Sequence, residues 1–190
     1  MSTSPPVQVL DLGLNNLTSL MRAIRGTEVA SVRIVTTGDE LHKAGLVVLP
    51  GVGAFGAAMS SLRARGFEQP IRSHIAAGGY LMGICLGMQL LANSSEEFGL
   101  HIGLGLVPGE VKKLISTKTS RVPNIGWHDI NITKGNNLFL DINNGASFYF
   151  VHSYAVQFKE HVDCLGYIRH GTNNVIGFFQ YKNIFGAQFH

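Results

Sequence analysis

Gly79-Tyr80-Leu81-Met82-Gly83-Ile84-Cys85-Leu86-Gly87-Met88-Gln89-Leu90-Leu91 runs from an apolar strand, through Gly-x-Cys-x-Gly, straight into a helical pattern. A cysteine between two glycines at such a junction has the form of a nucleophile elbow. The nucleophile of an elbow sits on a sharp turn, so the residues two positions to either side must be small. Gly83 and Gly87 meet that need. The turn also puts Cys85 at a helix N-terminus, whose partial positive charge favours a thiolate. The backbone N–H of Leu86 faces the same place and is a candidate oxyanion donor.

Outward from this turn, short apolar runs alternate with stretches of helical spacing. Val7–Leu10, Val32–Val35, Leu46–Leu49 and Tyr80–Ile84 read as strands. Leu17–Ile24, a short stretch after Thr36–Asp39, Ala57–Leu62, Gln69–Ala77 and Leu86–Ala92 read as helices. Strict alternation of this kind predicts parallel strands with helices on both faces. The second half differs: Val107–Ile115, Trp127–Ile132, Ser147–Val156, Cys164–Arg169 and Val175–Phe179 read as strands with few helices between them. The expectation is one α/β domain over residues 1–190, a mostly parallel central sheet to which the later part adds antiparallel strands.

Bulk properties exclude several classes. Apolar residues make up 45% and charged residues 14%, which rules against a disordered chain. The formal charge is +3, and the basic residues are scattered apart from small groups at Lys112-Lys113 and Lys118–Arg121. With no basic stripe interleaved with aromatics, nucleic-acid binding is not expected. Cys85 and Cys164 are too few for a disulfide-stapled secreted domain. Met1–Pro6 lacks the pattern of a secretion signal, and no apolar run reaches the roughly 18 residues of a membrane span. The expected location is cytoplasmic, away from the membrane.

A thiol nucleophile needs a base. Of the eight histidines, His152 ends the apolar run Phe148-Tyr149-Phe150-Val151, and His190 follows Phe185-Gly186-Ala187-Gln188-Phe189. Either could face Cys85 across the ends of the sheet, and spacing does not choose between them.

Five ordered segments carry a resemblance. They are Leu49-Pro50-Gly51-Val52-Gly53-Ala54-Phe55, Gly83–Gln89, Pro123-Asn124-Ile125-Gly126-Trp127, Phe148–Tyr154 and Gly186-Ala187-Gln188-Phe189-His190. Together they resemble the class I glutamine amidotransferases, and most closely their branch of imidazole glycerol phosphate synthase glutaminase subunits. Gly103–Gly109 is similar to the same branch. The resemblance implies a flavodoxin-like fold and hydrolysis of L-glutamine to glutamate and ammonia through a cysteine thioester, with no cofactor. It implies Cys85 as nucleophile and His190 as the base that later protonates the leaving ammonia. It implies an oxyanion hole from Gly51, Val52 and Gly53 together with Leu86, in a loop whose peptide flips to switch activity. Gln89, His152, Ser153 and Tyr154 match substrate-side positions, and Asn16 and Trp127 match the partner interface. The implied partner is a (βα)8-barrel cyclase subunit, forming a heterodimer and receiving ammonia through a channel in histidine biosynthesis.

The chain departs from the family pattern in places. The resemblance calls for Pro and then Glu after His190, the Glu orienting the imidazole; the sequence stops at His190, and a truncated C-terminus is expected. The first loop reads Asp11-Leu12-Gly13-Leu14-Asn15-Asn16-Leu17, where the family usually has Tyr second and Gly fifth. His128 stands where Asn is usual, and Asn124 where His is common. These changes leave open a paralogue that supplies ammonia for a bacterial surface-polysaccharide sugar, and a regulatory subunit without activity.

Overall fold

Runs of β-branched and aliphatic residues bounded by glycine, and helices with one apolar stripe, give the chain this order. Its first half is β1 (Val7–Leu10), α1 (Thr18–Arg25), β2 (Val32–Val35), a 3-10 turn (Gly38–Glu40), β3 (Leu46–Gly51), α2 (Phe55–Ala64), α3 (Glu68–Ala76), β4 (Tyr80–Cys85) and α4 (Leu86–Leu90). Strands follow: β5 (Ser94–Ser95), β6 (His101–Ile102), β7 (Gly109–Lys113), β8 (Asn124–Asp129), β9 (Asn131–Ile132), β10 (Ser147–His152), β11 (Tyr154–Phe158), β12 (Asp163–His170), β13 (Asn173–Tyr181) and β14 (Ile184–Ala187). The computed structural model describes residues 6–14, 17–27, 31–42, 45–133, 141–160 and 162–190; Asn16 lies outside them.

The main sheet has the order β2-β1-β3-β4-β14-β13-β12-β9. Its first five strands are parallel and the remaining three antiparallel. The predicted parallel sheet with added antiparallel strands is therefore observed, and β2-β1-β3-β4-β14 is the flavodoxin-like order. Alternate residues of each parallel strand serve opposite faces. Val7, Val9 and Val48 pack with Leu17 and Met21 on the α1 side. Leu10, Val35, Val47, Leu49 and Leu81 meet Phe55, Met59, Leu62, Phe67 and Ile71 on the α2–α3 side. Each such large apolar side chain contributes about 1.5–3 kcal/mol by leaving water. No described helix is long and apolar enough to cross a membrane.

Two expected strands are divided. The run Ser147–Val156 changes sheets at Ser153: β10 pairs with β8, and β11 pairs with β7 in a four-stranded sheet of order β11-β7-β5-β6. The bend is closed by the His152 ring, whose Nδ1 donates to the Tyr154 carbonyl at 2.9 Å, and by Leu114 N–H donating to the Ser153 carbonyl at 2.9 Å. The run Trp127–Ile132 starts earlier, at Asn124, and breaks at the buried Ile130 into β8 and β9. In the β8–β10 ribbon, Phe150, His152 and Asn124 point inward, while Ile125, Trp127 and Val151 point outward.

Parallel pairing brings functional ends together. Gly51 at the end of β3 lies opposite Cys85 at the end of β4, and Ala187 of β14 lies opposite Ile84. This is the carboxyl edge of the sheet, where open α/β sheets bind ligands.

Candidate active site

Cys85 has φ 54° and ψ −112°, a backbone conformation that L residues rarely adopt. Such strain costs about 1–3 kcal/mol and persists only where the surroundings hold it. Here glycines hold it, by letting three elements close on the turn. A Cβ on Gly83 would stand 2.7 Å from the Gly87 carbonyl oxygen and the Met88 nitrogen. A Cβ on Gly51 would stand 2.8 Å from the Gly87 nitrogen and Leu86 Cβ. A Cβ on Gly87 would run into the carbonyl oxygen of Leu49. The predicted requirement for small neighbours is thus a close approach of α4 to both β3 and β4.

The sulfur itself is buried. Burial pushes the Cys85 thiol up to about 11, against the opposing effects of hydrogen bonds from the Leu86 N–H and the Gln188 amide. The expectation of a thiolate favoured by the helix terminus is corrected here. A five-residue helix offers little field, and removal from water outweighs it. The resting site therefore holds a neutral thiol.

The structure treats the two candidate histidines differently. His152 is buried, with Nδ1 donating to Tyr154 O at 2.9 Å and Nε2 lying 3.1 Å from Asn124 Nδ2. Since a carbonyl only accepts, Nδ1 carries the proton and Nε2 accepts from Asn124. Burial pulls its pKa down to about 4, and the charges of His170, His128 and His190 add to that. Both nitrogens of a neutral His152 are engaged. His190 is the more exposed of the two; partial loss of water around the ring lowers its pKa, and no ring hydrogen bond to it appears among the described residues. Its backbone is held by an N–H bond to Tyr149 O at 2.9 Å, and Phe189 beside it stacks on Phe148 with ring centroids 4.2 Å apart.

Cys85 and His190 line one cavity of about 310 Å³. Val52, Gly53, Leu86, Gln89, His152, Ser153 and Tyr154, all singled out in the sequence, line it too. Gly51 lies behind the lining, packed against Leu86 and Gly87. Gly53 has φ +92° with nothing within 4 Å of a built Cβ, so backbone conformation rather than crowding calls for glycine there. Gln89 is buried and donates through Nε2 to Tyr154 O at 2.9 Å and to Gln188 Oε1 at 3.0 Å.

Two residues of the site, one lining the cavity and one buried behind it, escaped the sequence reading. Glu97 lines the cavity, and its carboxylate accepts the Phe55 N–H at 2.6 Å, capping α2. Its neighbour Glu96 instead bonds Lys112 at 3.3 Å and the Lys113 N–H at 2.8 Å. The adjacent pair of acids just after the elbow helix was the available signal. Gln188 reaches Cys85 Sγ from Nε2 at 3.6 Å, and nothing in its spacing points to that contact. Beside the cavity, Trp127 is 71% exposed, Ile125 58% and Val151 41%, an apolar face on a polar surface. Among the described residues no cluster of three or more His, Cys, Asp or Glu is placed to hold a metal ion.

The model of the family described as "Glutamine amidotransferase class-I" matches residues 8–190. The chain is 40% identical over 186 residues to a protein named imidazole glycerol phosphate synthase subunit HisH from Chlorobium chlorochromatii, covering 97% of this chain and 90% of that one. A protein of the same name from Herpetosiphon aurantiacus is 41% identical over 184 residues, with 97% and 85% covered. Among solved structures, a glutamine amidotransferase from Thermotoga maritima superposes with a TM-score of 0.71 at 18% identity, covering 100% of this chain and 76% of that one. At that identity the likeness concerns the fold alone. PurLQS from the same organism matches at TM-score 0.73 and 18% identity, with 99% and 88% covered. The chain belongs to the class-I glutamine amidotransferase family, among relatives that are imidazole glycerol phosphate synthase HisH subunits.

Proposed function

We propose that this chain is the glutaminase subunit of an imidazole glycerol phosphate synthase, a single glutaminase domain that hydrolyses L-glutamine and passes ammonia to a (βα)8-barrel cyclase subunit. The observation that carries it is Cys85, on a strained glycine-framed turn, sharing a cavity of about 310 Å³ with His190. Cys85 Sγ attacks the amide carbon while His190 takes the thiol proton. The amide oxygen becomes an oxyanion, met by the Leu86 N–H and by the backbone of Val52 and Gly53. His190 returns the proton to the departing nitrogen, which leaves as ammonia, and water then releases glutamate from the thioester. Ser153 and Tyr154, which line the cavity, hold the amino-acid end of the substrate, and the Glu97 carboxylate is the anion for its ammonium. Relatives at about 40% identity that bear the HisH name support the histidine branch over the surface-sugar branch.

A neutral thiol beside an imidazole of lowered pKa is a poor nucleophile, so the chain alone is expected to be slow. The exposed face of Ile125, Trp127 and Val151 would receive the barrel, next to the cavity mouth. Glutamate release, measured for the chain alone and with the acceptor-loaded barrel subunit, is expected to rise roughly 5–150-fold on complex formation. Trp127→Glu is expected to abolish that rise and weaken binding to the barrel by at least roughly 30-fold, with melting unchanged. Equal rates with and without the partner would sink the proposal.

Glu97→Gln keeps an oxygen to cap α2 and removes the charge. The expected result is a rise in KM for glutamine of roughly 10–100-fold with kcat nearly constant. A fall in kcat at unchanged KM would instead place Glu97 outside ground-state recognition.

A further inference from the structure

Gln188 is fully buried, at 0% exposure, two residues before His190. Its place follows from topology. β14 runs parallel to β4 with Gly186 opposite Gly83 and Ala187 opposite Ile84, so the next residues, Gln188 and Cys85, come side by side. The Gln188 N–H donates to Gly177 O at 2.8 Å and fixes the backbone there. Its side-chain Nε2 lies 3.6 Å from Cys85 Sγ.

The direction of this contact is set elsewhere. The oxygen and nitrogen of a glutamine amide are alike in shape, so the surrounding hydrogen bonds decide which faces where. The chain of bonds begins at the Tyr154 carbonyl, which can only accept. It takes one hydrogen of Gln89 Nε2 at 2.9 Å. The second hydrogen of that nitrogen goes to Gln188 Oε1 at 3.0 Å. With its oxygen claimed by Gln89, Gln188 must turn its NH2 group to the sulfur. A thiolate is a strong acceptor and a thiol sulfur a weak one, so an obligatory donor favours the anion in a site where burial opposes it.

We propose that Gln188 is a positioning residue of the nucleophile: its amide donates to Cys85 Sγ to stabilise the thiolate, and Gln89 ties that donor to the Tyr154 carbonyl. The proposal rests on the reading of Cys85 as nucleophile. Tyr154 lines the same cavity, so a substrate that shifts its carbonyl alters the donor at the sulfur.

The test is the rate of iodoacetamide alkylation at the Cys85 peptide, followed by mass spectrometry between pH 7 and 9 on the folded full chain. Gln188→Met keeps the bulk and removes the donor; Gln188→Glu keeps an oxygen for Gln89 and turns a second one, with negative charge, to the sulfur. At fixed pH the Met variant is expected to react roughly tenfold more slowly than wild type, and its log-rate profile to move up by about one pH unit. The Glu variant is expected to be slower still. A packing role would leave these profiles superimposed. If the Glu variant does not fold, the Met variant decides, and equal rates for wild type and Gln188→Met overturn the proposal. A parallel reaction of wild type with a glutamine-mimicking chloroketone separates the two readings. Labelling at Cys85 that glutamine blocks upholds the nucleophile, so equal rates then count against Gln188 alone; absence of that labelling sinks both.

Discussion

Cys85→Ala is expected to lose glutaminase activity by on the order of 10⁴-fold or more, measured as glutamate release in the partner complex, while the chain stays folded. Among the described residues no other thiol lines the cavity, so no described neighbour takes over the attack. Cys85→Gly is expected to be equally inactive yet to melt higher than Cys85→Ala. The φ of 54° strains any residue with a Cβ, and glycine relieves it. Equal melting of the two variants would mean that the turn stores no strain. Residual activity above about a hundredth of wild type would remove Cys85 from the covalent step.

Gly87→Ala is expected to be the most damaging single substitution by one methyl group. Its Cβ would run into the Leu49 carbonyl oxygen, and Leu49 belongs to the central strand β3. Backbone on both sides cannot swing away as a long side chain can. Either β3 and α4 separate or the elbow changes shape. The first costs about 3 kcal/mol or more, a fall in melting temperature of roughly 6–12 °C. The second moves Sγ and costs activity. Thermal melting and glutamate release together tell which yields. A variant with wild-type melting and wild-type rate would show that the close approach is not what the glycine serves. By contrast, Gly66 and Gly78 have open space around a built Cβ, and their positive φ alone argues for glycine.

Much of this architecture was legible because its causes are local. A strand shows itself as a short apolar run, a helix by its spacing, and the elbow by two glycines at fixed distance from Cys85. The alternation of these elements was enough to call for parallel pairing, and the family resemblance added the flavodoxin-like order. The length of the later strands was not legible in the same way. A continuous apolar run such as Ser147–Val156 has no mark for the residue at which it leaves one sheet for another. The His152 ring bond that closes the bend is made in three dimensions.

The sequence by itself determined the fold class, the nucleophile's turn and the two histidines able to serve it, because each depends on neighbours within a few residues. Residue spacing left those histidines equal and the resemblance favoured His190; the tertiary structure adds a physical difference, burying His152 with both nitrogens engaged while both rings line the cavity. Only it brought Glu97 to the cavity and Gln188 to the sulfur, the latter from a strand about a hundred residues away in the chain. It also set burial of the Cys85 thiol against the helix terminus, and burial is the larger effect. A helix terminus can be read locally, but the loss of water around a sulfur is the summed effect of every element packed over it, and no stretch of sequence carries that sum.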